Sequence, residues 1–237
     1  MNNYTLTIVL PCYNPQVGWV ENILAELDWL KGQLANETIQ LIIVNDGTTN
    51  QYLGESPFKV CNDVFFIHRS DNRGKGYSLR EGVVLSASEK VIYTDIDFPY
   101  ERDSFLSIYK ALKQADVAIG VRSEDYYTNM PKMRVLISKV LRLLIRFFMQ
   151  IPTDDTQCGL KGFNLNGKAV FLSTTIDRYL FDLEFIYLAA RKNLIIEKVP
   201  VRLKKGIVLS KSNFGILSTE VFNFIKIFIR SRFSKFI

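Results

Sequence analysis

"IQLIIVNDGTT", residues Ile39–Thr49, joins a short apolar run to a polar cluster that contains a glycine. An apolar run of this length, rich in β-branched residues and ended by turn-forming residues, is typical of a buried strand. Four other runs in the first half of the chain share this character: "TLTIVL", "DVFFIH", "KVIYT" and "DVAIG". Between several of them lie segments with helical spacing, at Val17–Leu34, Tyr77–Ser86 and Asp103–Lys113. Strands that alternate with helices predict βαβ units and a mostly parallel sheet.

Polar clusters follow three of the predicted strands: "PCYNP", "NDGTTN" and the opening of "DIDFPY". In a parallel sheet, ligands bind at the carboxyl ends of the strands, and these clusters fall at those ends. Loops from strand to helix are usually polar whatever they bind. The convergence therefore indicates a binding site without naming its chemistry.

Asp95 and Asp97, in "YTDIDFPY", place two carboxylates one residue apart at the end of a predicted strand. We expect an extended chain, which would point both side chains the same way. Such a pair suits Mg²⁺ or Mn²⁺, which commonly take one or two carboxylates and complete their shell with phosphate oxygens and water. Because Asp-x-Asp occurs by chance in many loops, the motif alone is a weak predictor.

Two neighbouring motifs strengthen this interpretation. "DNRGKGYSLREGV" sets glycines on both sides of Lys75 at the predicted start of a helix, where free N–H groups, the helix dipole and a cation make an anion site. An exposed basic turn is the alternative explanation of the same residues. Asp46 is placed to accept hydrogen bonds from a base or ribose, and Gly47 permits close backbone approach. The chain has neither a Walker A loop nor a GxGxxG fingerprint, which argues against a dinucleotide enzyme.

The composition limits the class of protein. The chain has 237 residues with 48% hydrophobic content and a mean hydropathy of +0.06, which excludes a disordered chain and fits one α/β domain. A net charge of +6 indicates an anionic partner. Three cysteines without CxxC spacing predict a reducing, cytoplasmic location rather than a disulfide or zinc framework. We see no signal-peptide pattern and no apolar stretch of about 18 residues that would span a bilayer.

Two amphipathic helices are predicted in the second half. Pro131–Gln150 has an apolar side opposite polar residues that recur every four positions: Arg134, Ser138, Arg142 and Arg146. A second helical stretch runs from about Phe214 to Phe233. Such faces cover a protein core, lie on a membrane surface or form a homodimer interface, and the sequence leaves these alternatives open. We expect one domain over residues 1–212, followed by a basic amphipathic helix over 213–237.

Seven segments, in this order, resemble family 2 glycosyltransferases: "IVLPCYNP", "IIVNDGTT", "NRGKGYSLREGV", "YTDID", "AIGVRS", "DTQCGLKGF" and "YLFDLEFIYLA". The last two are similar to the dolichyl- and polyprenyl-phosphate hexosyltransferase branch, and to dolichyl-phosphate β-glucosyltransferases in particular. The similarity runs from about Thr5 to Lys211. It implies the GT-A fold, a Rossmann-like α/β fold whose mostly parallel sheet is flanked by helices.

The resemblance implies roles for matching residues. The nucleotide sugar would be bound by Pro11, Tyr13, Asp46, Lys75, Asp95, Asp97 and Gln157. A divalent cofactor, Mg²⁺ or Mn²⁺, would bind Asp95 and Asp97, with Asp97 the more direct ligand. The acceptor phosphate would be held by Arg122, Arg134, Ser138 and Lys211. Catalytic roles are implied for Asp97, Asp155, Arg122 and Arg134. Asp182 and Glu184 of "FDLEF" would lie below the sugar site, with one of them facing it.

The predicted reaction is an inverting, metal-dependent transfer of a hexose, with UDP-glucose as first choice of donor, to a polyprenyl phosphate. We expect it at the inner face of the cytoplasmic membrane, with the protein bound peripherally. One alternative transfers the sugar to a hydroxyl of a cell-surface polysaccharide or lipopolysaccharide, with Asp155 as general base. Another is a catalytically silent, membrane-associated nucleotide-binding protein. Nucleic acid is not an expected partner, because the positive charge lies on helices with large apolar faces.

Overall fold

The structure is a computed structural model that describes residues 3–48, 58, 61–122, 132–149, 151–153, 155–204 and 223–229. Within these residues seven strands form a single sheet. The strands are β1 (Leu6–Cys12), β2 (Ile39–Asp46), β3 (Val64–Arg69), β4 (Lys90–Tyr93), β5 (Val117–Arg122), β6 (Lys161–Phe163) and β7 (Ile196–Val201). All five strands predicted from the apolar runs are confirmed.

The helices are α1 (Trp19–Gln33), α2 (Lys75–Val84), α3 (Arg102–Ala111), α4 (Lys132–Phe148), α5 (Leu165–Leu172), α6 (Phe181–Arg191) and α7 (223–229). The first four confirm the predicted helices, with ends that differ by a few residues. The prediction of a helix from Phe214 to Phe233 is described only over 223–229. The predicted domain boundary after residue 212 lies outside the described residues.

The strand order is β3-β2-β1-β4-β6-β5-β7, and the sheet is mostly parallel, as predicted. β6 runs antiparallel to both of its neighbours, β4 and β5, so these two strands are parallel to each other. The carboxyl ends of β1, β2, β4 and β5 therefore lie at one edge of the sheet. β6 begins at that same edge, because it runs in the opposite direction.

Alternation along β1 divides the core into two layers. Leu6, Ile8 and Leu10 pack beneath α1 and α3, whereas Val9 packs beneath α2, α5 and α6. Each of these four side chains is 0% exposed, and full burial of such a side chain stabilises the fold by about 1.5–3 kcal/mol. Helices thus cover both faces of the sheet and leave its carboxyl edge to the loops.

α4 and α7 are attached to the second of these layers. Ile145 and Met149 of the α4 region and Ile227 of α7 are all buried in it. Among the described residues, no helix has both the length and the apolar character that crossing a bilayer requires.

Two strands, β6 and β7, have no clear signal in the sequence. β6 has three residues, one of them Gly162, and is defined by its pairing with β4 and β5 rather than by an apolar run. β7 is an edge strand in which Glu197, Lys198 and Pro200 are exposed. Their identification required the tertiary pairing.

Candidate active site

The carboxyl edge of the sheet brings most of the predicted site residues to one side of the molecule. The residues at or just beyond the ends of β1, β2, β4 and β5 are Pro11, Tyr13, Asp46, Asp95, Asp97 and Arg122. Lys75 opens α2, in the connection after β3, and Asp155 and Gln157 precede β6. These strands end at the same edge of the sheet. The residues predicted to bind the donor and the described residues predicted to bind the acceptor phosphate are therefore gathered at that edge.

The chain after β4 turns instead of staying extended, so the expected extended geometry of Asp95 and Asp97 is wrong. The N–H of Phe98 donates to the carbonyl of Asp95 at 3.0 Å, and Phe98 has a φ of +46°. Beyond the turn, Tyr100 pairs with Leu203, which draws the chain away from the line of β4. The turn leaves Asp97 exposed and Asp95 half-buried.

Lys75 forms an ion pair with Asp95, with 2.5 Å between Nζ and Oδ1. Gly74 precedes it with a φ of +105°, and a Cβ there would lie 2.6 Å from the carbonyl oxygen of Asp177, so the turn requires a glycine. Burial alone would lower the pKa of Lys75, but the negative charges of Asp95 and Asp182 outweigh it and raise this pKa. Lys75 is therefore an ammonium ion beside the carboxylate pair.

The carboxylate pair fits a divalent cation. Desolvation of its carboxyl and the negative charge of Asp95 raise the pKa of Asp97. A cation bound between the two carboxylates would relieve their mutual repulsion. Gly159 leaves room for Asp95, since an added Cβ would overlap its Oδ2. In the described part of the chain no three His, Cys, Asp or Glu side chains cluster as a metal cage. Mg²⁺ or Mn²⁺ would thus complete its shell with water and diphosphate oxygens, as these ions commonly do.

Asp46 holds the turn that leads into α2. Its two carboxylate oxygens accept hydrogen bonds from the backbone N–H groups of Arg73 and Gly74, both at 2.8 Å, and from the side chain of Arg69. The guanidinium of Arg73 lies 3.7 Å from the ring centre of Tyr77. The structure therefore places Asp46 as an organiser of the "RGKG" turn, and its contact with a nucleotide stays a prediction.

Asp155 is buried between two arginines. Arg122 donates to it from the backbone N–H at 2.8 Å and from Nη2 at 2.5 Å, and Nη2 of Arg142 lies 2.9 Å from Oδ2. Burial alone would raise the pKa of Asp155, but hydrogen bonds from Arg122 and the charges of both arginines outweigh it and lower this pKa. An ionised carboxylate held in this way is poorly suited to act as a general base.

Arg142 was missed as a site residue, although it belongs to the four-residue repeat on α4. Ser138 lies one turn before it on the same helix, half-buried. The side chain of Arg134 and all of Lys211 lie outside the described residues. The predicted acceptor-phosphate roles of these residues stay predictions.

Asp182 and Glu184 have different partners, as expected for residues two apart on a helix. Asp182 accepts hydrogen bonds from Tyr93 and from Lys161, the latter at 2.7 Å. Glu184 accepts from the backbone N–H groups of Thr175 and Ile176, both at 2.8 Å. Asp182 therefore faces the strand that carries the carboxylate pair, while Glu184 secures the loop before α6.

Lys161 and Lys204 were not predicted to belong to the site. Lys161 is 0% exposed beneath it, and Lys204 partly offsets the raised pKa of Asp97 through its positive charge. Nζ of Lys204 lies 2.9 Å from Glu26 on α1. Lys161 lies in the "DTQCGLKGF" segment, which could have indicated it, whereas no local sequence pattern distinguishes Lys204.

Comparisons with known proteins place the chain in a family. Residues 7–171, well over half of the chain, match the family model Glycosyl transferase family 2. The dolichyl-phosphate beta-glucosyltransferase of Drosophila melanogaster is 27% identical over 215 residues, and those of Homo sapiens and Saccharomyces cerevisiae are 26% and 27% identical over 215 and 225 residues. Each match covers 83% of this chain and 66% of the relative, so the chain spans slightly less than two thirds of these relatives.

Solved structures agree on the fold. Mannosyl-3-phosphoglycerate synthase from Rubrobacter xylanophilus has a TM-score of 0.65 at 14% identity, covering 96% of this chain and 73% of that one. Glucosyl-3-phosphoglycerate synthase from Mycobacterium tuberculosis, in complex with Mn²⁺, UDP and glucosyl-3-phosphoglycerate, has a TM-score of 0.61 at 14% identity, covering 96% and 80%. These likenesses confirm the predicted GT-A type of α/β fold. The family itself follows from the match over residues 7–171, which covers more than half of the chain: the protein belongs to glycosyl transferase family 2.

Proposed function

We propose that the protein is a metal-dependent, inverting glycosyltransferase that moves a hexose from a nucleotide sugar to a polyprenyl phosphate at a membrane surface. The observation that carries this proposal is the pairing of two sites at one sheet edge: a carboxylate pair beside Lys75, and an arginine pair held by Asp155. UDP-glucose is the proposed donor, because relatives are named dolichyl-phosphate beta-glucosyltransferases and a structural neighbour is in complex with Mn²⁺ and UDP.

At the donor half, Asp95 and Asp97 would hold Mg²⁺ or Mn²⁺, which supplies positive charge to the diphosphate leaving group when bound. Lys75 stays protonated next to Asp95 and adds a second cation toward the same developing charge. The exposed Tyr13 after β1 and the turn held by Asp46 would contact the nucleotide. The remaining proposed donor residues are Pro11 and Gln157.

At the proposed acceptor half, the guanidinium groups of Arg122 and Arg142 both contact the carboxylate of Asp155, which gathers two cations at one place. A phosphate monoester is anionic near neutral pH, with a second pKa of about 6, so its oxygen attacks the anomeric carbon without a general base. It needs cations to position it, and guanidinium groups bind phosphate oxygens well. The other proposed acceptor residues are Arg134, Ser138 and Lys211.

The exposed face of α4 supports action at a membrane. Four large apolar side chains with the spacing of one helix face are between 48% and 71% exposed: Leu136, Val140, Leu143 and Phe147. Lys139 and Arg146 are exposed on the same helix. An exposed apolar face beside exposed cations is typical of helices that lie in a membrane interface, with their cations toward anionic lipid. We therefore place the protein peripherally at the cytoplasmic face of a membrane.

The test is nucleoside diphosphate release from a panel of UDP- and GDP-hexoses with Mn²⁺, with undecaprenyl phosphate in detergent. Undecaprenol, which lacks the phosphate, is the matched control acceptor. We expect release from UDP-glucose only with the phosphorylated lipid, and loss of release after chelation of the metal. Binding of the donor without lipid-stimulated release would reject the polyprenyl phosphate and favour a glycan hydroxyl. Binding of the nucleotide without release to any acceptor, lipid or glycan, would favour the catalytically silent alternative.

A further inference from the structure

Beneath the carboxylate pair lies a second, buried ion pair. Lys161 of β6 is 0% exposed, and Asp182 at the start of α6 is 4% exposed. Nζ of Lys161 lies 2.7 Å from Oδ1 of Asp182. A lysine is almost never fully buried unless it is paired, and burying an ion pair costs solvation that a pair of apolar residues would not. Core stability alone therefore does not account for these two residues.

Lys161 secures the backbone that lies behind Asp95. In addition to its pair with Asp182, its ammonium group donates to the carbonyl of Cys158. The next residue, Gly159, lies so close to Asp95 that an added Cβ would overlap the carboxylate. The position of residues 158–159 thus sets how far the Asp95 side chain extends back into the protein.

Asp182 secures the strand that carries Asp95. Its Oδ1, which pairs with Lys161, also accepts a hydrogen bond from the hydroxyl of Tyr93. Tyr93 is 0% exposed and is the last residue of β4, two residues before Asp95. One carboxylate oxygen therefore joins the end of β4 to the lysine that holds the opposing backbone.

We infer that Lys161 and Asp182 are positioning residues that set the Asp95 carboxylate for the divalent metal, although neither lies among its ligands. This inference rests on the proposed function, because it requires that Asp95 and Asp97 bind a metal with the donor diphosphate. The buried pair connects Tyr93, at the end of β4, to the backbone of residues 158–159. Asp95 follows the first of these segments in the chain and packs against the second. Loss of the pair would therefore free both segments to move and would change the position of the Asp95 carboxylate.

The test is the affinity of the full chain for Mn²⁺ in the presence of UDP, followed by the electron paramagnetic resonance signal of the free ion. Asp182→Asn and the charge-balanced double variant Lys161→Met with Asp182→Asn are compared with the wild type. We expect both to weaken Mn²⁺ binding about tenfold, the size of effect typical of groups that orient metal ligands. The double variant keeps the net charge and leaves no buried ion without a counter-ion, so it separates positioning from stability.

Glu37→Gln is the matched control, since Glu37 is a half-buried carboxylate that accepts a hydrogen bond from Tyr109 and lies beside Lys90, at the opposite end of β4 from Asp95. We expect it to retain wild-type Mn²⁺ affinity. Tyr93→Phe removes one hydroxyl and keeps the ring, and it should also weaken Mn²⁺ binding. If the double variant does not fold, this variant provides the test. Wild-type affinity in the folded double variant or in Tyr93→Phe, or an equal loss in Glu37→Gln, overturns the inference alone. If the wild type binds no Mn²⁺ with UDP, the proposed function fails as well.

Discussion

At the scale of single residues, Gly159 lies with its backbone against the Asp95 carboxylate. A methyl group added there would therefore disturb the proposed donor site. We predict that Gly159→Ala displaces Asp95 from Lys75 and weakens Mn²⁺ binding in the presence of UDP about tenfold, as for other changes that disturb ligand orientation. A titration of Mn²⁺ measures this. The control is Gly32→Ala on α1, where an added Cβ meets nothing within 4 Å, and which should stabilise the helix by about 0.5–1 kcal/mol. Equal Mn²⁺ affinity in both variants would contradict the prediction.

At the proposed acceptor site, the charge of Asp155 makes the stability of the fold depend on pH. Its pKa is lowered in the folded state by Arg122 and Arg142, so it stabilises the fold above its unfolded pKa of about 3.9. This contribution is lost as the pH falls through the lower, folded pKa. We predict that Asp155→Asn lowers the free energy of unfolding at pH 7 by roughly 3 kcal/mol, because it removes the charge of a buried carboxylate that both arginines contact.

Urea denaturation of the wild type and of Asp155→Asn at neutral pH and at about pH 3 measures this difference. The gap between the two proteins should shrink at the lower pH, because the Asp155 carboxyl of the unfolded wild type is protonated there and the wild type loses stability as the pH falls towards the folded pKa. A gap that is independent of pH would show that the charge of Asp155 is not what holds the two arginines.

At the scale of elements, α4 presents two different surfaces. Arg142 reaches inward to Asp155, while Leu143 and Phe147 are exposed. The four-residue repeat predicted an amphipathic helix, and the structure confirms the helix. The repeat by itself does not show which arginine contacts the site, since that depends on how α4 is rotated against the segment before β6.

The proposed role of Arg142, on α4, is tested by the steady-state kinetics of a variant. We predict that Arg142→Ala raises the KM for polyprenyl phosphate about tenfold or more and leaves the KM for UDP-glucose little changed, since it removes a charged hydrogen-bond donor. Steady-state kinetics in detergent, with each substrate varied in turn, measures both constants. Arg146→Ala, one turn further along and exposed, is the matched control. An equal rise in both constants would show that Arg142 supports the fold rather than the acceptor.

At the scale of the whole molecule, a net charge of +6 and the apolar face of α4 together favour an anionic membrane surface. We predict that Leu143→Glu with Phe147→Glu reduces sedimentation with anionic vesicles without lowering stability, because both side chains are exposed. Binding of the wild type should fall as salt is added, since exposed charges are screened over about 8 Å at physiological ionic strength.

Val84→Glu is the matched control, because Val84 is an apolar residue that is 64% exposed on a different helix, α2. It should sediment with vesicles like the wild type, apart from the small effect of its charge. If the α4 variant sediments equally well, the apolar face does not contact lipid, and a homodimer interface becomes the explanation to test.

The sequence by itself determined the alternating strands and helices, the edge of the sheet at which the predicted site residues lie, and the family. These follow from periodicities and motifs that are local along the chain. Only the tertiary structure decided the turn at Asp97, the arginine pair on Asp155 and the buried ion pair beneath Asp95. Arg122 and Asp155 are 33 residues apart, Lys161 and Asp182 are 21 apart, and Tyr93 and Asp182 are 89 apart. The chemistry of each pair exists only once the sheet has brought distant segments together, because charges and hydrogen bonds act over a few ångströms of space.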